Sequence, residues 1–314
     1  MKAVAVAAVL AVVLFASASA IIRQPIVVFD RPAPRLASPD RLRHDVEFLT
    51  ATVRPRDAAH PPNLNAAADY LARELAGAGA RVRVQPFNAR RQSFRNVIAE
   101  FGPPASQQPL LIIGAHYDVF SEHGDFPGAD DNASGTAALL ELARLLHRRP
   151  IARPVMLVAY ANEEPPFFGS EQMGSAVHAQ SLKETGRPIA GMICLEMIGY
   201  YTDVQRWDSW VLRLMYPTRG DFIGVAGGWD DRALARSVKR ALGTSMHAVS
   251  FTGPRTMLDA SDQRNYWNRG WPAVMVTDTA YERNPNYHTI RDTAATLDYE
   301  RMAHIVDGLV TYLR

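Results

Sequence analysis

The sequence predicts an α/β fold, a three-layer α/β/α sandwich around a central mixed, mostly parallel sheet. Short apolar runs alternate with segments of helical periodicity along the chain. Several of those runs are apolar without interruption, as strands buried on both faces must be. Acidic and imidazole side chains gather where the runs end, at the edge where open α/β sheets place their sites. The 314 residues, 47% hydrophobic and 21% charged, suit one large α/β domain or two small ones. No repeat, low-complexity tract or internal linker breaks the alternation, so a single domain is expected over residues 38–314.

Residues 1–20, MKAVAVAAVLAVVLFASASA, read as a secretory signal: Lys2, an apolar stretch, then Ala18-Ser19-Ala20 as a small-residue cleavage site. The alternative is a membrane anchor, because residues 3–22 match a bilayer in length. The expected destination is the periplasm or the medium, with membrane attachment only if this segment stays uncleaved. A proline-rich lead-in covers residues 21–37. Ser38 then caps a helix carrying Leu42, Val46, Leu49 and Val53. NLNAAADYLARELAGAGA forms a second helix with Leu71, Leu75 and a glycine stop. RVRVQPF and FRNVIAEF are strands, and PLLIIGAHYD is a buried one. ASGTAALLELARLLHR is a helix with Ala138, Leu139, Leu142, Leu145 and Leu146 on one side. PVMLVAYAN, IAGMICLEMIG, DFIGVAG, MHAVSF and WPAVMVTD are further strands, and DDRALARSVKRALG and LDYERMAHIVDGLVTYL are helices.

A net charge of +2, from 34 basic and 32 acidic residues, gives no nucleic-acid footprint. The one cysteine, Cys194, excludes an intramolecular disulfide and any cysteine-rich zinc site. Its apolar setting, IAGMICLEMIGY, reads as a buried, inert thiol.

Glu163 and Glu164 close the run PVMLVAYANEE. An isolated pair of this kind reads as a solvated acidic loop. Successive side chains in extended backbone diverge, however, so one can bind a metal while its neighbour serves as general base. His116, Asp131, Glu164, Glu196 and His288 form a nitrogen and oxygen set suited to two zinc ions, with cobalt or manganese as substitutes. Two close dications need a shared anion, and Asp131 in GADDNASG is the chosen bridge; Asp130 becomes the bridge if the register shifts by one. Asp118 lies on the same strand face as His116 and is placed to orient its imidazole. Asp292 reads as a helix-entry cap or a support for a ligand. His123, in a polar loop, reads as a rim residue, and His147, His178, His247 and His304 read as structural.

The pieces GAHYDV, PGADDNASG, ANEEPPFFGS, CLEMIGY and NPNYHTIRDT occur in that order over residues 114–293. Together they resemble the di-zinc exopeptidase superfamily of secreted bacterial leucyl aminopeptidases, aminopeptidase Y, glutamate carboxypeptidase II and glutaminyl cyclases. The aminopeptidase branch is nearest. The resemblance implies His116 and Glu196 on one zinc, Glu164 and His288 on the other, Asp131 between them, and Glu163 as general base. It also implies Tyr287 as a donor to the developing oxyanion and a cis peptide between Asp131 and Asn132. The implied activity is hydrolysis of peptides with a free N-terminus. Two departures stand out: Glu196 replaces an aspartate, and Asp262-Gln263 replaces an Asp-His pair. A carboxypeptidase would need a basic pocket, for which Arg255, Arg264, Arg283 and Arg291 are the candidates. A glutaminyl cyclase would use one zinc, and a binding domain would have lost ligands or base. The insert 201–221, with Trp207, Trp210 and Tyr216, reads either as a substrate-contacting rim or as packing under a long loop.

Overall fold

A computed structural model describes residues 2–24, 31–103, 108–120, 124–149, 151 and 153–314; His123 and residues 25–30 of the proline-rich lead-in lie outside them. In chain order they form α1 (Lys2–Arg23), α2 (Pro39–Glu47), α3 (Pro61–Gly77), β1 (Arg81–Ala89), β2 (Gln92–Phe101), β3 (Leu110–His116), α4 (Gly135–His147), β4 (Val155–Tyr160), α5 (Gly174–Thr185), β5 (Ile189–Leu195), α6 (Trp210–Met215), β6 (Ile223–Gly228), α7 (Arg232–Leu242), β7 (Ala248–Gly253), α8 (Gln263–Trp267), β8 (Ala273–Thr277) and α9 (Tyr299–Leu313). The Ser38 hydroxyl accepts the Arg41 N–H at the start of α2, whose first residue is Pro39. α3 starts at Pro61 rather than Asn63, since proline's fixed φ and missing N–H suit a first helical turn. Among the described residues no helix is long and apolar enough to cross a membrane.

The eight strands form one mixed sheet in the order β1-β2-β4-β3-β5-β8-β6-β7. Its four central strands, β4, β3, β5 and β8, are mutually parallel. β1, β2 and β6 join them through antiparallel pairings, and β7 runs parallel to β6. The four central carboxyl ends therefore open onto one edge, with an acidic or imidazole residue at the end of each strand or shortly after it.

Period-two alternation divides each central strand between two cores. Leu111, Ile113 and Ala115 pack with α2, α3, α4, α7 and α9. Leu110 and Ile112 pack with α5 and α8 on the opposite face. A strand covered on both sides must be apolar throughout, which is why PLLIIGA and PVMLVAY show no alternation. Cys194 lies in the second core, where burial pushes its thiol well above the ordinary range, as suits an inert side chain.

Three helices carried no sequence signal. α5 reads GSAVHAQSLKET, and only Ala176, Ala179 and Leu182 give it a buried apolar stripe. α6 and α8 are too short to show a period. α6 belongs to the insert 201–221, where Trp207 and Tyr216 are packing residues rather than rim residues. They pack with Met215, Phe222 and Val249 in a small separate core, while Trp210 remains 72% exposed.

His178 on α5 is buried, and its ring is hydrogen-bonded at Nδ1 to the Tyr266 hydroxyl (2.6 Å), which in turn contacts the Tyr160 hydroxyl (2.6 Å). Burial pushes this imidazole down from 6.5 to about 3, with Arg83 adding to the effect. The unfolded chain then binds a proton that the native chain does not. The resulting stability is complete above pH 6.5 and is lost as pH falls toward about 3. His178→Gln is expected to flatten the decline of the urea midpoint across that window relative to wild type; parallel curves would count against it.

Candidate metal centre

Five chain segments meet at the carboxyl edge of the sheet. β3 ends in His116, β5 is followed by Glu196, and β4 leads through Asn162 to Glu163 and Glu164. Asn162 has φ of +62°, a left-handed turn that asparagine tolerates, and it swings the two glutamates back over the strand ends. Asp131 lies in the turn before α4, and its peptide to Asn132 is cis. His288 comes from the loop after β8, also left-handed at φ +52°. Its ring is sandwiched between Phe120 (centroids 4.3 Å apart, planes 4° apart) and Tyr287 (3.8 Å, 19°). This stacking fixes the plane in which its Nε2 points.

Two groups of side chains result, and Asp131 belongs to both. In the first, His116 Nε2 lies 3.3 Å from Asp131 Oδ1 and 3.3 Å from Glu196 Oε2. In the second, His288 Nε2 lies 3.1 Å from Asp131 Oδ2 and 3.2 Å from Glu164 Oε1. Donors held about 2.0 Å from a tetrahedral zinc stand about 3.3 Å from one another, so both groups fit that ion. His116 Nε2, His288 Nε2 and Glu164 Oε1 are buried without a hydrogen-bond partner, which a cation would supply. Glu163 Oε2 sits 3.9 Å from His116 Nε2, beside the first group. Asp130 belongs to neither group: Oδ1 accepts the Gly199 N–H and Oδ2 accepts from the Asn284 amide, so both oxygens are committed elsewhere.

Electrostatics give the same picture. Burial raises the Glu164 carboxyl to about 8, with Asp131 adding to it. Burial likewise lifts Glu163 well above the carboxylate range; His116 offsets part of this, and Glu196 and Glu164 add to it. Burial would also raise Asp131, but the adjoining His116 and His288 rings outweigh it and hold the group below its usual range. Burial opposes charge on His288, yet Asp131 and Glu164 lift its ring to about 10. The cluster therefore demands positive charge, as protons or as metal.

The supporting residues act on the backbone as much as on the ligands. The Asp118 main-chain O lies 3.2 Å and its carboxylate Oδ1 3.5 Å from His116 Nδ1, while its two carboxylate oxygens accept the N–H groups of Glu163 and Glu164 (3.2 and 3.1 Å). It thus ties the imidazole to the glutamate pair. Asp292 caps the turn at residues 129–134, accepting the N–H groups of Asp130 (2.9 Å) and Asp131 (3.0 Å). Ser261 donates to Glu196 Oε2 (2.5 Å), and the Asn132 side chain donates to Leu195 O (2.8 Å). Neither Ser261 nor Asn132 was foreseen, because an uncharged side chain shows no ligand spacing. Gln263, in the Asp-His position, donates to Leu258 O and stays within its own loop. Of the four arginines considered for a basic pocket, Arg255 is paired with Asp231 and Arg283 is buried against Gln205 and Phe222 O. Arg264 stacks over Phe168, and Arg291 is exposed.

The model of Peptidase family M28 matches residues 96–313, a span that contains every residue of the two groups. The chain belongs to peptidase family M28. The M28 chain is accordingly a hydrolase of the zinc metallopeptidase class. It is 46% identical over 308 residues to "Uncharacterized protein YfbL" of Escherichia coli, covering 92% of this chain and 94% of that protein. It is 26% identical over 264 residues to leucine aminopeptidase 1 of Trichophyton rubrum, covering 78% of this chain and 66% of that protein. The LapA aminopeptidase of Legionella pneumophila superposes with a TM-score of 0.71 at 20% identity, covering 88% of this chain and 71% of LapA. A glutaminyl cyclase of Porphyromonas gingivalis superposes at 0.69 and 19% identity, over 89% and 99% of the two chains. At such identities the structural likeness establishes the α/β fold alone.

Replacing Asp118 with alanine leaves the Glu163 and Glu164 amides unpaired. The expected loss of stability is about 1–3 kcal/mol, together with roughly tenfold to a hundredfold weaker zinc binding. Urea unfolding and chelator competition measure the two effects.

Proposed function

We propose that this M28 peptidase is a di-zinc aminopeptidase acting on peptides with a free N-terminus. The observation that carries the reading is the division of Asp131, one oxygen toward His116 and the other toward His288. In this reading His116 and Glu196 would hold one ion and Glu164 and His288 the other, with Asp131 common to both groups. Zinc in this setting supplies Lewis acidity and brings the pKa of a coordinated water to about 7.

The chain's own groups do the rest. Glu163 adjoins the first group yet has no place in either, so its carboxylate is free to take a proton from the attacking water and return it to the leaving amine. Asp118 holds Glu163 and Glu164 in register through their main chain. The Tyr287 hydroxyl, held protonated by burial and by neighbouring carboxylates led by Asp131, is suited to donate to the substrate carbonyl oxygen as charge develops there. Arg255 and Arg283, engaged with Asp231 and Gln205, are spoken for, which weighs against a carboxylate-binding pocket built from them. The names of the aminopeptidase relatives lend support in the same direction. Residues 1–20 we read as an export signal, giving a periplasmic or secreted enzyme.

Glu163→Gln is expected to keep both zinc ions while lowering turnover by roughly a factor of 10²–10⁴, the usual worth of a general base. Metal content and kcat measured on one preparation decide this, and full zinc with unchanged turnover removes Glu163 from the role. The wild-type enzyme is expected to cleave free peptides and to spare N-acetylated ones. Cleavage of blocked peptides alone would reverse the aminopeptidase assignment.

A further inference from the structure

We propose that Arg56, which lies upstream of the family-matched span, is a positioning residue of the metal centre that clamps the two loops presenting Asp118 and Asp131. The proposal rests on the zinc-peptidase reading above. Arg56 is 0% exposed, the largest fully buried side chain among the described residues. Its guanidinium spreads over four main-chain carbonyls. Nε donates to Tyr117 O (2.9 Å), one terminal nitrogen to Leu49 O (2.5 Å) and Pro127 O (3.0 Å), and the other to Gly128 O (3.0 Å). Its own carbonyl accepts the Val119 N–H (3.0 Å). Arg56 therefore holds the chain on both sides of Asp118 and, at its other end, the start of the turn that carries Asp131.

None of these acceptors is a carboxylate. A buried cation without a direct counter-ion is costly, and an apolar side chain of similar volume would ordinarily be the more stable occupant. Burial pulls the guanidinium down to about 10, and the fields of Asp292, Asp118 and Asp131 partly restore it. That cation also lies near enough to the acidic cluster to oppose a dication, so charge alone does not explain its presence. The planar fork does: it reaches several carbonyls at fixed angles, which a compact ammonium group cannot.

The test compares full-length wild type with Arg56→Lys, which keeps the charge and the stem but loses the fork. Circular dichroism establishes folding, chelator competition gives zinc affinity, and steady-state kinetics give kcat and KM. We expect roughly tenfold to a hundredfold weaker zinc and a lower kcat at saturating zinc with KM little changed. Wild-type zinc affinity and kcat in Arg56→Lys would overturn the proposal. A wild-type chain that binds no zinc would instead overturn the zinc-peptidase reading. Should the variant fail to fold, nuclear magnetic resonance of arginine-labelled, zinc-free wild type serves in its place. Slowly exchanging Arg56 guanidinium N–H signals are expected, and rapid exchange with solvent would contradict the clamp.

Discussion

Mutual repulsion among buried carboxylates is the constraint around which the sheet edge is organised. Asp118, Asp131, Glu163, Glu164 and Glu196 meet there, each less than a tenth exposed. Removing even one carboxylate from water is expensive unless it is paired or hydrogen-bonded. The fold meets that demand in two ways. Backbone N–H groups and the Ser261 hydroxyl fix some of the oxygens. The remainder turn toward His116 and His288 at distances that suit donors around shared cations. The parallel central strands make this meeting possible, because only co-directed strands deliver their carboxyl ends to one edge.

The sandwich was legible because its central strands are covered on both faces and so are apolar without alternation. The acids and imidazoles were legible because they sit at the ends of those same strands. Less visible were elements whose stability comes from tertiary contact. α5 packs small residues and a neutral histidine against the second core, which leaves almost no helical period in its sequence. The insert 201–221 was ambiguous from composition, since an aromatic residue is equally at home in a rim or a core. The structure separates Trp207 and Tyr216, which are buried, from Trp210, which is not.

The supporting residues show a second limit. Asp118 was expected to face the imidazole, and its spacing from His116 gave that much. Its hold on the Glu163 and Glu164 amides depends on two strands lying side by side, which strand spacing alone does not encode. Arg56 is the extreme case, because its partners are main-chain carbonyls and any sequence could supply them. Ligand types can be read from residue identities, whereas the scaffold that aims them is written mostly in backbone geometry. Glu196 joins the two levels: an acid whose position the strand end gives away, with an Oε2 that both Ser261 and the Asn132 side chain reach.

The central claim is that two cations sharing Asp131 neutralise this cluster. Anomalous diffraction from zinc-loaded crystals, recorded at the zinc absorption edge, addresses it directly. The account requires two peaks, one beside His116 and Glu196 and the other beside Glu164 and His288, with Asp131 between them. A single peak, or a pair of peaks that leaves Asp131 outside, would contradict it.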